Sequence, residues 1–412
     1  MDTIRLRCVN CGKQYPLGLY YRCDLCDFPL EVISQPLLVG DSYESIDQPG
    51  IWRYHSLLPQ IESKMRVSLG EGNTPLIHLS RLGSDLGLSE LYLKNEGQNP
   101  TGSFKDRPTA VSMSVAKSLG INTVIVSSTG NAGASLAAYA ARAGIRAIVL
   151  VSGSTPPAKL VQMSIHGATI VPINGNLSEA FWLAYKAALQ WGWMDLTSTF
   201  LCPYGVEGDK TVAYELYSQL GKAPDWVIIP VSVGPLAVGI YKGFADLKIM
   251  GLVDKIPRIV AAQTAACAPI ARAYIKGETD VRAWLDPVNT VAGGIADPLN
   301  GYEKDGTYTL RVVRTSSGAV TESTDLEIIQ AVKLLAKKEG CFCEPTGCVS
   351  IAALPQLELL PSFSPKDIIV CIATGHGLKQ VRAFEEEVKL PLPIVPSLEA
   401  LEKLVEMDGV EK

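Results

Sequence analysis

The chain lacks an excess of positive charge. Its 412 residues include 37 lysines and arginines against 42 aspartates and glutamates, which gives a formal net charge of −5. Proteins that bind a nucleic-acid backbone neutralise its phosphates with clustered basic residues, so nucleic acid is excluded as a general partner and a small-molecule partner is expected. Charged residues make up only 19% and hydrophobic residues 47% of the chain. This composition predicts a globular protein with large cores.

Long hydrophobic runs are also missing. The N-terminal residues MDTIRLRCVNC contain no apolar segment of the kind found in a secretion signal. The most apolar stretch, 132–151, is interrupted by Arg142 and Arg146 before it is long enough to cross a bilayer. These observations predict a cytoplasmic protein with no membrane partner.

Cysteine is scarce, with 10 residues in 412, which is too few for a disulfide scaffold. Four of the cysteines nevertheless form two C-x-x-C pairs near the N-terminus. Four thiolates at this spacing can surround zinc as a tetrahedron, and such a small lobe would otherwise lack a core of its own. We therefore predict a zinc-ribbon-like lobe over residues 1–35 that binds a structural zinc; a ribbon without metal, or one with a redox role, is the alternative. The predicted ligands are Cys8, Cys11, Cys23 and Cys26.

Runs of β-branched residues alternate with helical patterns through the rest of the chain. This order predicts βαβ units and mostly parallel sheets, which is an α/β fold. In the tail, Ser397 is a candidate N-cap for a short amphipathic helix. The predicted strands are 123–128, 146–151, 168–172, 226–231, 258–263 and 367–372, and the predicted helices are 132–143, 157–166, 238–249 and 325–338.

Lys105 follows a turn rich in proline and glycine, in the segment NPTGSFK. A turn of this kind at the start of a helix can direct the amine into a cleft. A lysine amine with a lowered pKa is a nucleophile toward aldehydes, and a pyridoxal ring then accepts electrons from the substrate carbon. Taken alone, the motif is more typical of a solvated lysine, so the interpretation depends on the segments that follow.

Three further loops lie where a predicted strand ends. The loop 127–131 can direct helix-start N–H groups toward an amino-acid carboxylate, and the loop 230–236 can bind a phosphate in the same way. Thr374 follows the last strand, where its hydroxyl could face a pyridine nitrogen. A neutral hydroxyl there favours elimination and replacement over transamination. Each loop alone is more typical of an ordinary turn or cap, but together they predict a cofactor site around Lys105.

Taken together, the ordered motifs resemble those of the threonine synthase family, and the cysteine ribbon is similar to its archaeal-type branch. The motifs are GEGNTPL (70–76), NPTGSFKDR (99–107), SSTGNAGAS (127–135), EGDKT (207–211) and TGHGLK (374–379). The resemblance implies the tryptophan-synthase-β-like fold (pyridoxal-phosphate fold type II), with two parallel-rich α/β domains, the cofactor in the cleft between them, and a homodimer. The large cofactor-binding domain would comprise 36–115 and 216–390, the small domain 116–215, and the tail helix 391–412.

The resemblance also implies roles for individual residues. Lys105 would be the catalytic lysine that carries pyridoxal 5'-phosphate as a Schiff base, Asn131 would contact the ring oxygen, and Thr374 the pyridine nitrogen. The reaction would convert O-phospho-L-homoserine and water to L-threonine and phosphate. The cofactor phosphate would bind at Ser232, Val233, Gly234 and Leu236. The substrate carboxylate would bind near Ser128, Thr129 and Asn131.

Three segments depart from the family pattern. The loop 232–236 is closer to the glycine loops of serine/threonine ammonia-lyases, and the segment Glu344-Pro-Thr-Gly is shared with those enzymes as much as with threonine synthases. Gly205 stands where an arginine is expected near bound phosphate groups. Two alternatives therefore stay open: a related β-replacement synthase, for example a cysteate-synthase-like enzyme acting on O-phosphoserine, and an ammonia-lyase. A binding protein without turnover is disfavoured because Lys105 and the helix-start loops are all present.

Overall fold

The computed structural model describes residues 4–33, 43–128, 130–153, 155, 157–175, 177–387, 390 and 392–407. The strands, in chain order, are β1 (Arg5–Cys8), β2 (Gln14–Pro16), β3 (Leu30–Ile33), β4 (Leu76–His78), β5 (Leu91–Asn95), β6 (Thr123–Ser127), β7 (Arg146–Ser152), β8 (Thr169–Ile173), β9 (Met194–Asp195), β10 (Trp226–Pro230), β11 (Arg258–Thr264), β12 (Ala319–Ser323) and β13 (Ile369–Ala373).

The helices lie mostly between consecutive parallel strands, as βαβ units require. In chain order they are α1 (Ser80–Leu86), α2 (Asp106–Ser118), α3 (Asn131–Ala143), α4 (Pro157–Ile165), α5 (Leu177–Trp191), α6 (Pro203–Asp209), α7 (Thr211–Leu220), α8 (Pro235–Ile249), α9 (Pro269–Ile275), α10 (Glu303–Thr315), α11 (Asp325–Glu339), α12 (Pro345–Ala352), α13 (Leu354–Leu357) and α14 (Leu398–Met407). Among the described helices, none is long and apolar enough to cross a membrane.

Three sheets organise these elements. The N-terminal lobe is an antiparallel sheet in the order β2-β1-β3. A four-stranded parallel sheet has the order β8-β7-β6-β9. The six-stranded sheet has the order β12-β11-β10-β13-β5-β4, and all its pairings are parallel except that between β4 and β5. The α/β class and the parallel sheets predicted from the sequence are therefore confirmed.

The central strands are buried along their whole length. Every residue of β6, β10 and β13 is buried, which is why these strands appear in the sequence as continuous β-branched and aliphatic runs. Ligand loops in α/β sheets follow the carboxyl ends of such strands. The segments after β6, β10 and β13 are those that hold the predicted site.

The strand predictions agree with the structure to within a few residues. One helix differs more: α8 begins at Pro235 rather than at 238, because proline fits the first turn of a helix, where its missing N–H has no intrahelical partner. The chain forms two compact units, Met1–Lys379 and Gln380–Lys412. Both large sheets lie in the first unit, so the predicted domain boundaries stay a prediction. The predicted tail helix is present as α14.

Candidate active site

The turn before Lys105 is shaped by the carboxylate of Asp106. Asp106 Oδ2 accepts a hydrogen bond from the Thr101 amide at 2.7 Å, and Oδ1 accepts hydrogen bonds from the hydroxyls of Thr101 at 2.6 Å and Ser135 at 2.7 Å. Gly102 takes a φ of +82°, which favours glycine. The turn therefore holds Lys105 at the start of α2, as the sequence predicts.

The Lys105 amine points into a protein-lined cavity. Its Nζ donates a hydrogen bond to Ser198 Oγ. Burial lowers the pKa of Lys105 to about 8, although the carboxyl groups of Asp209 and Glu344 oppose this shift. Burial thus increases the fraction of neutral amine, which is the form that attacks an aldehyde.

Thr374 is brought beside the Lys105 turn by backbone contacts. The Phe104 amide donates a hydrogen bond to the Thr374 carbonyl at 3.0 Å, and Ser103 pairs with Gly375. Thr374 is only 2% exposed, and no group of the described residues hydrogen-bonds its Oγ1. A buried hydroxyl without a partner is costly. It can pair with a ring nitrogen of a molecule bound next to Lys105.

Asn131 begins α3 and is connected to the same loop through Glu344. Asn131 Nδ2 donates to Glu344 Oε1 at 2.8 Å, and the Glu344 amide donates to the Gly375 carbonyl at 3.0 Å. Ser128 lies just before this helix, and its hydroxyl accepts a hydrogen bond from the Gly130 amide at 3.2 Å. Thr129 lies outside the described residues.

In the loop between β10 and α8, two carbonyl groups accept hydrogen bonds from side chains. Thr309 Oγ1 donates to the Val233 carbonyl at 2.7 Å, and Gln263 Nε2 donates to the Ser232 carbonyl at 3.4 Å. Gly234 has a φ of +124°, and a Cβ there would lie 2.0 Å from Thr309 Oγ1. Within the described chain, nothing accepts a hydrogen bond from the amides of Ser232, Val233 and Gly234. Together with the helix start at Leu236 they can bind a phosphate, although Pro235 supplies no N–H.

The four predicted metal ligands lie together. Their sulfur atoms are all within 4.8 Å of one another, with Cys8 and Cys26 at 3.4 Å and Cys11 and Cys23 at 3.5 Å. Zinc–sulfur bonds of about 2.3 Å in a tetrahedron place the sulfurs about 3.8 Å apart. The four cysteines therefore fit a zinc ion.

The cysteine lobe also contacts the segment that carries Ser198. Tyr21 Oη donates to the Trp193 carbonyl at 2.9 Å and accepts from the Asp195 amide at 3.1 Å. Arg22 pairs with Asp305 at 2.7 Å, and Asp305 in turn accepts a hydrogen bond from the Phe200 amide at 3.4 Å. The lobe thus holds both ends of the segment 193–200.

Two residues of this site were not predicted individually from the sequence. Ser198 has no motif of its own, because its role arises only where its loop meets Lys105. Asp209 lies inside the segment EGDKT, where its carboxyl group beside a lysine could have indicated a buried partner. Both line one cavity of about 30 Å³ together with Lys105, Ser112 and Gly205.

Comparison with known proteins gives a consistent result. A family model for pyridoxal-phosphate dependent enzymes matches residues 67–375. The chain is 39% identical over 397 residues to the threonine synthase of Methanocaldococcus jannaschii, covering 93% of this chain and 96% of that protein. It is 35% identical over 407 residues to the threonine synthase of Methanosarcina acetivorans, covering 97% and 98%. The solved structure of maize serine racemase is similar in fold, with a TM-score of 0.65 and 22% identity over 82% of this chain and 94% of that one.

Proposed function

The chain belongs to the pyridoxal-phosphate dependent enzymes and, within them, to the threonine synthase family, and on this premise we propose that it converts O-phospho-L-homoserine and water to L-threonine and phosphate. One observation carries the proposal: the Lys105 amine, whose pKa burial lowers to about 8, and the Thr374 hydroxyl belong to two segments that are joined by the hydrogen bond from the Phe104 amide to the Thr374 carbonyl. This hydroxyl has no hydrogen-bond partner among the described residues. The substrate is accordingly a small amino acid.

In this proposal each end of pyridoxal 5'-phosphate has a partner in the chain. Lys105 holds the aldehyde carbon, Thr374 Oγ1 the pyridine nitrogen and Asn131 Nδ2 the ring oxygen. When bound, the cofactor supplies a ring that accepts electrons from the substrate carbon. The cofactor phosphate binds at the loop formed by Ser232, Val233, Gly234 and Leu236. The substrate carboxylate binds at the start of α3, near Ser128, Thr129 and Asn131.

Gly205 favours a second candidate function, a β-replacement synthase acting on a related O-phospho amino acid or an ammonia-lyase. The position faces the cavity beside Lys105. A Cβ at Gly205 would lie 3.3 Å from Pro108 Cβ and 3.4 Å from Ser112 Oγ, so the packing leaves little room for a larger side chain. Because glycine has no side chain, no guanidinium group at this position can bind the substrate phosphate.

The experiment that separates these functions measures products from purified protein loaded with pyridoxal phosphate. We expect O-phospho-L-homoserine to yield equal amounts of inorganic phosphate and threonine. O-phospho-L-serine, L-serine and L-threonine are the comparison substrates. Release of an oxo acid and ammonia from serine or threonine, with no phosphate from O-phospho-L-homoserine, would replace the synthase with a lyase.

We further propose that the cysteine cluster binds one structural zinc. Replacing Cys11 with serine is expected to reduce zinc from one ion per chain to near zero and to lower the melting temperature, because the metal stabilises only the folded lobe. Hydrogen exchange at 193–200 should rise as well, since Tyr21 and Arg22 hold that segment. Metal content, thermal unfolding and exchange are the measurements. Cys341→Ser, outside the lobe, is the control, and full zinc content in Cys11→Ser would contradict the assignment.

The remaining expectations concern location and assembly. We propose a cytoplasmic location, where a reducing environment keeps the four cysteines available as thiolates. We also propose a homodimer, by analogy with the family. Sedimentation of the purified protein measures the assembly state directly.

A further inference from the structure

Asp209 is a buried carboxyl group next to Lys105 for which the fold provides no complete set of partners. It ends α6 and lines the same cavity as Lys105 and Ser198. The side chain is 1% exposed, and its Oδ1 has no hydrogen-bond partner among the described residues. Leaving a buried carboxyl oxygen unpaired costs free energy. Such groups in a cleft are candidates for direct action on a ligand.

The position of Asp209 is determined by close packing of two helices. A Cβ at Gly239 of α8 would lie 2.4 Å from Asp209 Cβ, so only glycine allows the two helices to approach this closely. Helix α8 begins directly after the loop 232–234. The carboxyl group is therefore held in a defined place relative to both that loop and Lys105.

Burial of Asp209 favours its protonated form, and the positive charges around it oppose this. Burial raises the pKa of Asp209 to about 8, against the opposite effect of the positive charges of Lys105 and Arg107 and with a smaller contribution from Glu96. Burial therefore favours the carboxylic acid form, which can donate a proton and, once ionised, take one back.

The cavity has room for at least one water molecule. It offers about 30 Å³ to a water-sized sphere, and one water needs roughly 10–15 Å³ of such space. Ser112, Ser198, Thr199 and Asp209, all with polar side chains, are among the residues that line it. A stable buried water requires polar partners of this kind.

We propose that Asp209 is a catalytic residue that gives a proton to the departing phosphate and then takes a proton from the water that adds to the substrate. The proposal rests on the function proposed above. It places the adding water in the cavity beside Lys105, next to the phosphate group of the bound substrate.

Asp209 and Lys105 together account for every proton that moves in the reaction. The substrate Cγ–O bond breaks, its electron pair leaves with the phosphate oxygen, and that oxygen takes the Asp209 proton. The water oxygen then forms a bond to Cβ, and the water proton restores the Asp209 acid. The hydrogens on the substrate carbons all stay on carbon, with one moved from Cβ to Cγ by Lys105. The overall reaction converts the substrate and water to threonine and phosphate.

Asp209→Asn tests the proposal because asparagine keeps the size of the side chain but transfers no proton. Threonine formation is expected to fall about 100-fold, within the range of general acid–base catalysis. Phosphate release should fall less, because phosphate is a good leaving group. The ratio of threonine to phosphate therefore decreases, and the four-carbon oxo acid and ammonia appear from hydrolysis of the unsaturated product. All the products are measured in one reaction.

Asp195→Asn is the matched control. Asp195 is also fully buried, its Oδ2 has no hydrogen-bond partner among the described residues, and burial raises its pKa to about 6. Unlike Asp209, it is not among the residues that line the cavity. We expect it to keep the wild-type product ratio. An unchanged threonine-to-phosphate ratio in Asp209→Asn would overturn the proposal, and so would an equal loss in both variants.

The pH profile of the wild-type protein gives a test that needs no variant. Phosphate release should decline as the pH rises through about 8, where Asp209 loses its proton. This decline should be smaller in Asp209→Asn, because the variant has no carboxylic acid to lose its proton and keeps only other titrating groups such as Lys105. A rate that stays constant across this range would overturn the proposal even if the variant does not fold. Failure of the wild-type protein to release phosphate would instead contradict the proposed substrate, so the two failures are distinguishable.

Discussion

Lys105→Ala is expected to bind no cofactor through a lysine and to lose activity by roughly 10³-fold or more, because the nucleophile toward the aldehyde is absent. The same amine moves the protons on the substrate carbons in the proposed reaction, so added free amines should restore only a small part of the rate. The visible absorption of the lysine-linked cofactor is expected to disappear. Absorbance spectra and phosphate release measure the two effects.

Lys117→Ala is the control for this result, since Lys117 lies on the same helix α2 away from the cavity. We expect it to keep both the spectrum and the activity. A Lys105→Ala protein that stays yellow and active would contradict the central assignment and would move the cofactor lysine elsewhere in the chain.

Arg107→Met is expected to cause the largest loss of stability, about 3–5 kcal/mol, because it leaves buried carboxylates without their main partner. Arg107 is completely buried. It pairs with Glu96 at 2.6 Å and Glu215 at 2.7 Å, and Lys94 pairs with Glu215 at 2.7 Å. Two positive and two negative charges thus balance. We expect the melting temperature to fall by roughly 3–6 °C, as measured by thermal unfolding.

The pH dependence of this loss has a definite sign. Burial alone raises the pKa of Glu215, but the charges of Arg107 and Lys94 outweigh it and hold this pKa well below its usual range. The stabilisation is therefore complete above the unfolded pKa of about 4.3 and is lost as the pH falls toward the folded value. In Arg107→Met the carboxylates can take up a proton more easily. The difference in the free energy of unfolding between this variant and the wild type should therefore become smaller at acid pH.

Arg142→Met, on the exposed side of α3, is the control and should change the melting temperature little. An equally small change in Arg107→Met would mean that the buried cluster contributes no net stability. Because Arg107 lies two residues after Lys105, the variant also tests whether the cluster supports the catalytic turn.

The sheets could be predicted from the sequence because their strands are buried on both faces. Residues 123–126 and 227–229 are all β-branched, and continuous runs of this kind are typical of strands that are buried on both faces. Helix α6 was not predicted. Its charged residues suggest a surface segment, yet Glu207 is buried because it pairs with Lys210 at 2.8 Å.

The same distinction applies to the site. Lys105, the helix start at Asn131 and the loop around Gly234 each have a local pattern of turn residues, and local patterns are present in the sequence itself. Ser198 and Asp209 have no such pattern. Their proximity to Lys105 depends on the packing of α6 against α2 and α8, and therefore on residues far apart in the chain.

The α/β class, the candidate lysine Lys105 and the four cysteines of the lobe could be predicted because each follows from the order and spacing of neighbouring residues. Tertiary packing was needed to show which polar atoms have no hydrogen-bond partner among the described residues, such as Thr374 Oγ1 and Asp209 Oδ1. Burial and hydrogen bonding depend on contributions from many distant residues, and so do the pKa values of Lys105 and Asp209. These quantities exist only once the chain has folded.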